Sequence, residues 1–138
     1  MKRLRVSLDL CTQTLTLSEL TARIRRAPSV TSHDRGKRRP SPDGGDVRWD
    51  RTIWRIESRA DDAATLGQHL SSLVAELPPN ELSRPGILPG DCQVWISVGI
   101  FFDSAMTALA LSPQDVGVVS AYGASLEIAC YPCTPKAP

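Results

Sequence analysis

A chain of 138 residues, 41% hydrophobic and 22% charged, has the length of one ordinary domain and the composition of a globular one. That excludes two independent cores and, at a net charge of +1, a domain that binds nucleic acid by bulk charge alone. Such a chain buries roughly two-thirds of its unfolded surface, enough for one core without metals or disulfides.

The charge is unevenly spread. Between Arg23 and Arg59 eleven Lys/Arg face five Asp/Glu, a local +6, while the rest of the chain carries five against ten, or −5. A basic central segment thus sits on an acidic body. The opening residues, MKRLRVSLDLC, hold no long apolar run before Asp9, so no signal peptide is expected. The most apolar stretch, Val94 to Phe102, is too short to span a bilayer. A cytoplasmic location with four reduced cysteines is the expectation.

In chain order, Leu4, Val6, Leu8 and Leu10 alternate with Arg5, Ser7 and Asp9, the period of a strand with one face on a core. Ser18 can cap a helix running to about Arg26, with Leu17, Leu20 and Ile24 as its apolar stripe and Pro28 beyond its end. Residues 29–48 contain almost no apolar side chains and are expected to form a flexible, basic, Pro/Gly-rich loop whose partial deletion, over 31–46, costs little stability. Thr52–Glu57 alternates again. Asp61 or Asp62 can cap a helix ending near Leu77, striped by Leu66, Leu70, Leu73, Val74 and Leu77. After a long Pro/Gly-punctuated connection, Cys92–Phe102 reads as a central strand. Ser112-Pro113-Gln114-Asp115 has the form of a capping box with proline at the first helical position. It predicts a helix with Val116, Val119 and Tyr122 inward and Gly123 in the left-handed turn that ends it. Leu126–Tyr131 is a last strand, and 132–138 a flexible tail.

The order β-α-β-α-β-α-β predicts a single α+β domain over 1–138. Two similar strand–helix starts, Leu15-Thr16-Leu17-Ser18 and Leu109-Ala110-Leu111-Ser112, flank an extra helix. They favour a four-stranded, mainly antiparallel, ferredoxin-like sheet with about three helices mostly on one face. A doubly wound parallel sheet is the alternative, disfavoured because the first two strands alternate in polarity.

This arrangement resembles the bacterial family called domain of unknown function 4279. The resemblance is carried by the opening strand Arg5–Leu10, the short helix ending at Pro28, Gly36-Lys37, the strand Ile53-Trp54-Arg55-Ile56 and the helix with His69, Leu70, Leu73 and Leu77. It continues through a strand–helix–strand end with Leu111, Gly123, Leu126 and Tyr131, and departs from the family pattern between Pro28 and Trp49. The family has no assigned chemistry, so the resemblance implies a fold and no catalytic residues. Related small domains in bacterial conflict systems imply a toxin-neutralising, or immunity, role.

Candidate chemistry weighs as follows. Cys130-Tyr131-Pro132-Cys133 has redox spacing, but it closes a strand with no helix to follow, so the thiol-lowering dipole is missing and structural cysteines are the better reading. Cys11 and Cys92, ending and opening antiparallel strands, should lie together and away from Cys130 and Cys133, which argues against one zinc site. His69 sits at the edge of a helix stripe and reads as a partly buried or surface residue, and His33 as a turn residue beside Asp34. No metal, cofactor or catalytic constellation is expected.

Arg35, Lys37, Arg38 and Arg39, followed by Arg48, Trp49 and Arg51, make a dense cluster interleaved with aromatic residues. Arginine and tryptophan carry interface energy in protein complexes and also stack on bases and neutralise phosphates. A solvated loop, with Trp54 in the core, is the plain reading of the same residues. The expectation is a non-enzymatic protein-binding domain, monomeric or homodimeric, whose basic loop contacts an acidic surface, in the extreme a toxin. A nucleic-acid-associated accessory domain using the same loop is the alternative, and a small-ligand-binding domain the third.

Overall fold

The computed structural model describes residues 2–103 and 108–133. In chain order its elements are β1 (Lys2–Thr12), α1 (Leu17–Ile24), β2 (Arg38–Arg39), β3 (Val47–Arg48), β4 (Thr52–Glu57), α2 (Leu66–Glu76), α3 (Pro79–Leu82), β5 (Gln93–Phe102), α4 (Pro113–Ala121) and β6 (Ser125–Pro132). β1, β4, β5 and β6 form one sheet in the order β4-β1-β5-β6, and β2 pairs with β3 in a separate two-stranded ribbon.

The alternation in β1 sets the layers. Leu4, Val6, Leu8 and Leu10, with Trp54 and Ile56 of β4 and Ile96, Val98 and Ile100 of β5, point into one apolar cluster. Leu20 and Ile24 of α1, Leu66, Leu70 and Leu73 of α2, Leu82 of α3 and Tyr122, just after α4, close it from the other side. The helices therefore cover one face of the sheet, and the residues between those core positions face away from them.

The helix starts are fixed by reciprocal capping boxes. Thr16 caps α1 with Glu19, Thr65 caps α2 with Gln68, and Ser112 caps α4 with Asp115. The third agrees with expectation. The first two start helices two and three or four residues away from Ser18 and Asp61 or Asp62, and Asp61 instead accepts from the Ala63 N–H in the turn before α2. Arg25, at φ 61°, ends α1 in the left-handed region, and Gly123 at φ 62° turns the chain from α4 into β6.

The ferredoxin-like prediction is overturned. The sheet is mixed: β1 is antiparallel to β4 and β5, but β5 and β6 run parallel. The cause is α4, whose passage across the sheet returns the chain to the end where β5 began, as a strand–helix–strand connection requires. The described residues hold four helices and not three, because the Pro78-Pro79 stretch starts the one-turn α3. Val116, expected inward, is 54% exposed, whereas Tyr122 is buried and its hydroxyl donates to the Leu77 carbonyl at 2.6 Å. The expected tail begins inside β6 at Pro132, and from residue 134 it lies outside the described residues.

Candidate functional site

Register arranges the helix-free face as a grid. Across the strands run Arg55–Asp9–Trp95–Ser125, then Glu57–Ser7–Ser97–Glu127, then Arg5–Gly99–Ala129, then Arg3–Phe101–Tyr131. The two middle rows are floored mostly by small residues, and the outer rows by large ones. Two distinct regions result.

At one end lies a polar cluster around Asp9, which is only 3% exposed although no helix covers it. Its carboxylate accepts from Arg55 Nε at 2.8 Å and Nη2 at 3.1 Å, from Ser97 Oγ at 2.9 Å and from Ser7 Oγ at 2.9 Å. That bidentate bond raises the Arg55 pKa, outweighing the opposite effect of burial. The buried charge is therefore matched.

The insertion expected to be a loop is built onto this end. Residues 29–33 run along the outer edge of β4: His33 exchanges both backbone hydrogen bonds with Ile53 at 2.9 Å, and the Ser29 N–H donates to the Arg55 carbonyl at 2.7 Å. Asp34 Oδ1 accepts from the Leu17 N–H at 2.9 Å, tying the insertion to the start of α1, and the Arg35 N–H donates to Thr52 Oγ1. Beyond these anchors β2 and β3 form the ribbon, with Arg38 opposite Arg48 and Arg39 opposite Val47.

The ribbon's predicted site residues are partly gathered. Trp49 stacks on His33, ring centroids 3.8 Å apart, and Arg39 lies over Trp49 at 4.9 Å from its centroid. Burial, followed by the Arg55 charge, lowers the His33 pKa, which favours the neutral ring in the stack. Arg48 donates to the Gly36 carbonyl and pairs with Asp46 at 3.9 Å, while Arg51 pairs with Asp50 at 3.4 Å and touches Cys11 Sγ. Among the described residues no carboxylate comes within ion-pair distance of Arg35, Lys37, Arg38 or Arg39, all exposed. Trp54 is fully buried and Arg55 is committed to Asp9, so neither joins this surface.

At the other end of the face is a groove of about 390 Å³ lined by Arg5, Ser7, Glu57, Ser97, Gly99, Phe101 and Tyr131, among others. It extends into a notch where β4 has ended and Ser58 to Asp62 continue beside β1, held by Ser58 N–H to Val6 O and Leu4 N–H to Asp62 O, both 2.8 Å. His69 lines that notch; expected to be partly buried or at the surface, it is 1% exposed, because this segment lies across it. Its Nδ1 meets Ser58 Oγ at 2.8 Å, and its Nε2 has no hydrogen-bond partner among the described residues. Burial lowers its pKa against the opposing pull of Asp62 and Asp61.

The cysteines divide between the two ends of the sheet. Cys11 sits opposite Gln93, next to Cys92, and Cys130 sits opposite Ile100 on the outer strand β6; all four are free. Burial pushes the Cys92 thiol up to about 11, the reverse of what a reactive thiol needs. The Asp9–Arg55 pair and the groove were not anticipated. The signal available was a glycine inside an apolar strand and a lone Asp among alternating residues.

No helix among the described residues is long and apolar enough to cross a membrane. No curated protein and no solved structure matches this chain. A family of domains of unknown function, DUF4279, does match over residues 2–132, nearly the whole chain, and the protein belongs to that family.

Proposed function

We propose that the chain is a non-enzymatic protein-binding domain that presents its arginine ribbon to an acidic surface of a partner. The observation that carries the reading is the anchoring of the ribbon. Its root pairs with β4 and bonds to the first N–H of α1 and to Thr52, so Arg35, Lys37, Arg38 and Arg39 are displayed from a framework and, among the described residues, form no ion pair. Pre-organisation lowers the ordering cost of docking, and unpaired cations steer an acidic partner. The Arg39–Trp49–His33 stack supplies the aromatic and guanidinium anchor on which binding energy concentrates.

The narrower form of the proposal is a cytoplasmic neutralising partner for a toxin, supported by the four free thiols and the charge complement such a pairing needs. Affinity capture from the source cells with wild-type protein and with the Arg38→Glu/Arg39→Glu variant tests both forms. A stoichiometric partner lost in the variant, whose thermal unfolding is unchanged, is the expected result; a partner retained by the variant removes the ribbon from the interface. Nucleic acid released steeply with salt would instead select the accessory-domain reading, since each neutralised phosphate frees counterions.

A further inference from the structure

The groove on the helix-free face lies apart from the ribbon's exposed cations and meets the insertion only at its root, where Thr31 Oγ1 donates to Glu57 at 3.1 Å. We infer that it is a binding site for a small amphoteric molecule with a planar apolar body, of the class of an aromatic α-amino acid.

The lining changes character along the register from β4 to β6. At the β4 side the lining carboxylates are Glu57 and Asp62, both exposed and suited to an ammonium group. One strand further in, Arg5 is exposed and among the described residues has no ion-pair partner; its guanidinium rests 5.3 Å from the Phe101 ring centroid, which leaves its N–H groups available to a carboxylate. Next comes Gly99. A Cβ there would stand 3.3 Å from the Phe101 ring and 3.5 Å from the Tyr131 ring, so the missing side chain is what lets both rings lean over the strand at this point. Those two rings are themselves stacked at 4.9 Å and 18°, forming one aromatic wall.

Glu57, Arg5 and Phe101 lie on successive strands and in successive rows of the grid, so the groups suited to ammonium, carboxylate and ring run diagonally across one groove. Ser7 and Ser97, whose hydroxyl protons go to Asp9, offer the floor acceptor oxygens, and about 390 Å³ is within the range of small-molecule sites. A second observation concerns His69, in the lining of the same cavity: among the described residues its buried Nε2 makes no direct hydrogen bond, so a polar atom stands at the inner end of the notch.

Arg38 and Arg39 are not part of the groove lining, so the test uses the ribbon-reversed protein as a control. Backbone amide chemical shifts of the intact chain are followed by NMR during titration with L-phenylalanine, with 3-phenylpropionate, which lacks the amine, and with 2-phenylethylamine, which lacks the carboxylate. Saturable shifts at Arg5, Ser97, Gly99 and Phe101 with L-phenylalanine are expected, with each truncated probe weaker by about tenfold, as loss of one charge-assisted hydrogen bond implies. Arg5→Gln should weaken L-phenylalanine and 3-phenylpropionate by a similar factor while leaving 2-phenylethylamine unchanged. Gly99→Val should weaken all three, and its unfolding curve shows whether the fold survives. The Arg38→Glu/Arg39→Glu protein should bind as wild type does. Absence of shifts up to the solubility limit, shifts centred elsewhere, or equal binding of all three probes overturns the assignment.

Discussion

Asp9 owes its burial to its partners, and removing it leaves Arg55 with no counter-charge. The Arg55 side chain is 24% exposed, so it rehydrates in part, and Asp9→Ala should cost about 2 kcal/mol, below the figure for a fully buried pair. Urea unfolding at neutral pH checks this, and a loss under about 0.5 kcal/mol would mean the cluster is dispensable. His69 gives a pH dependence. Its folded pKa is lowered, so the unfolded chain takes up a proton near 6.5 while the fold resists it. Stability should be flat above that value and fall as pH drops below it, by at most about 1.4 kcal/mol per unit, until the folded ring titrates. His33 shifts in the same direction from a more exposed position. If His69→Gln leaves the slope of the urea midpoint against pH unchanged, the dependence belongs elsewhere. Neither residue could be placed from sequence. Asp9 lies on what reads as a solvated strand face, and His69 is one position off a stripe that a later segment happens to cover.

Elements were legible where local chemistry decides them and illegible where a distant connection does. Ser112-Pro113-Gln114-Asp115 spelled out the start of α4, and the same signal, Thr16 with Glu19 and Thr65 with Gln68, stood in the sequence but was outweighed by nearby Ser18 and Asp61. The parallel pairing of β6 was hidden because β6 is an edge strand, largely exposed, and lacks the continuous apolar run by which buried parallel strands are recognised. The anchoring of the insertion was hidden for a related reason: it comes from backbone pairing with β4 and from Asp34 on α1, which side-chain polarity does not reveal. Deleting all of 31–46 should therefore destabilise the domain, in contrast to the expectation from composition. Among the helices, α4 depends on one polar tie, the Tyr122 hydroxyl on the Leu77 carbonyl just past α2. Tyr122→Phe keeps the ring and orphans that carbonyl, so a loss of about 1–2 kcal/mol is expected by thermal or urea unfolding. No loss would mean that water reaches Leu77.

At the scale of the molecule, one apolar cluster joins all four helices to the sheet, and none of its fully buried members comes from residues 29–51. Truncating it should act globally: Leu73→Ala, at a site with no exposure, should lower stability by about 3 kcal/mol in a single transition. The ribbon should behave otherwise, since its tip is held by few apolar contacts and by backbone bonds open to solvent. The three tryptophans separate these regions: Trp54 is in the core, Trp95 is on the helix-free face, and Trp49 is in the ribbon stack. In single-tryptophan proteins, with the other two replaced by Phe, the Trp54 fluorescence transition in urea should coincide with loss of helix by circular dichroism. Trp49 should change at lower urea, as the His33–Trp49–Arg39 stack opens while the sheet persists. Such a ribbon, ordered but locally labile, can tighten on a partner without risk to the fold that holds it. Coincident transitions for Trp49 and Trp54 would show the ribbon to be part of the cooperative unit, and the root formed by His33, Asp34 and Thr52 would then extend its hold to the tip.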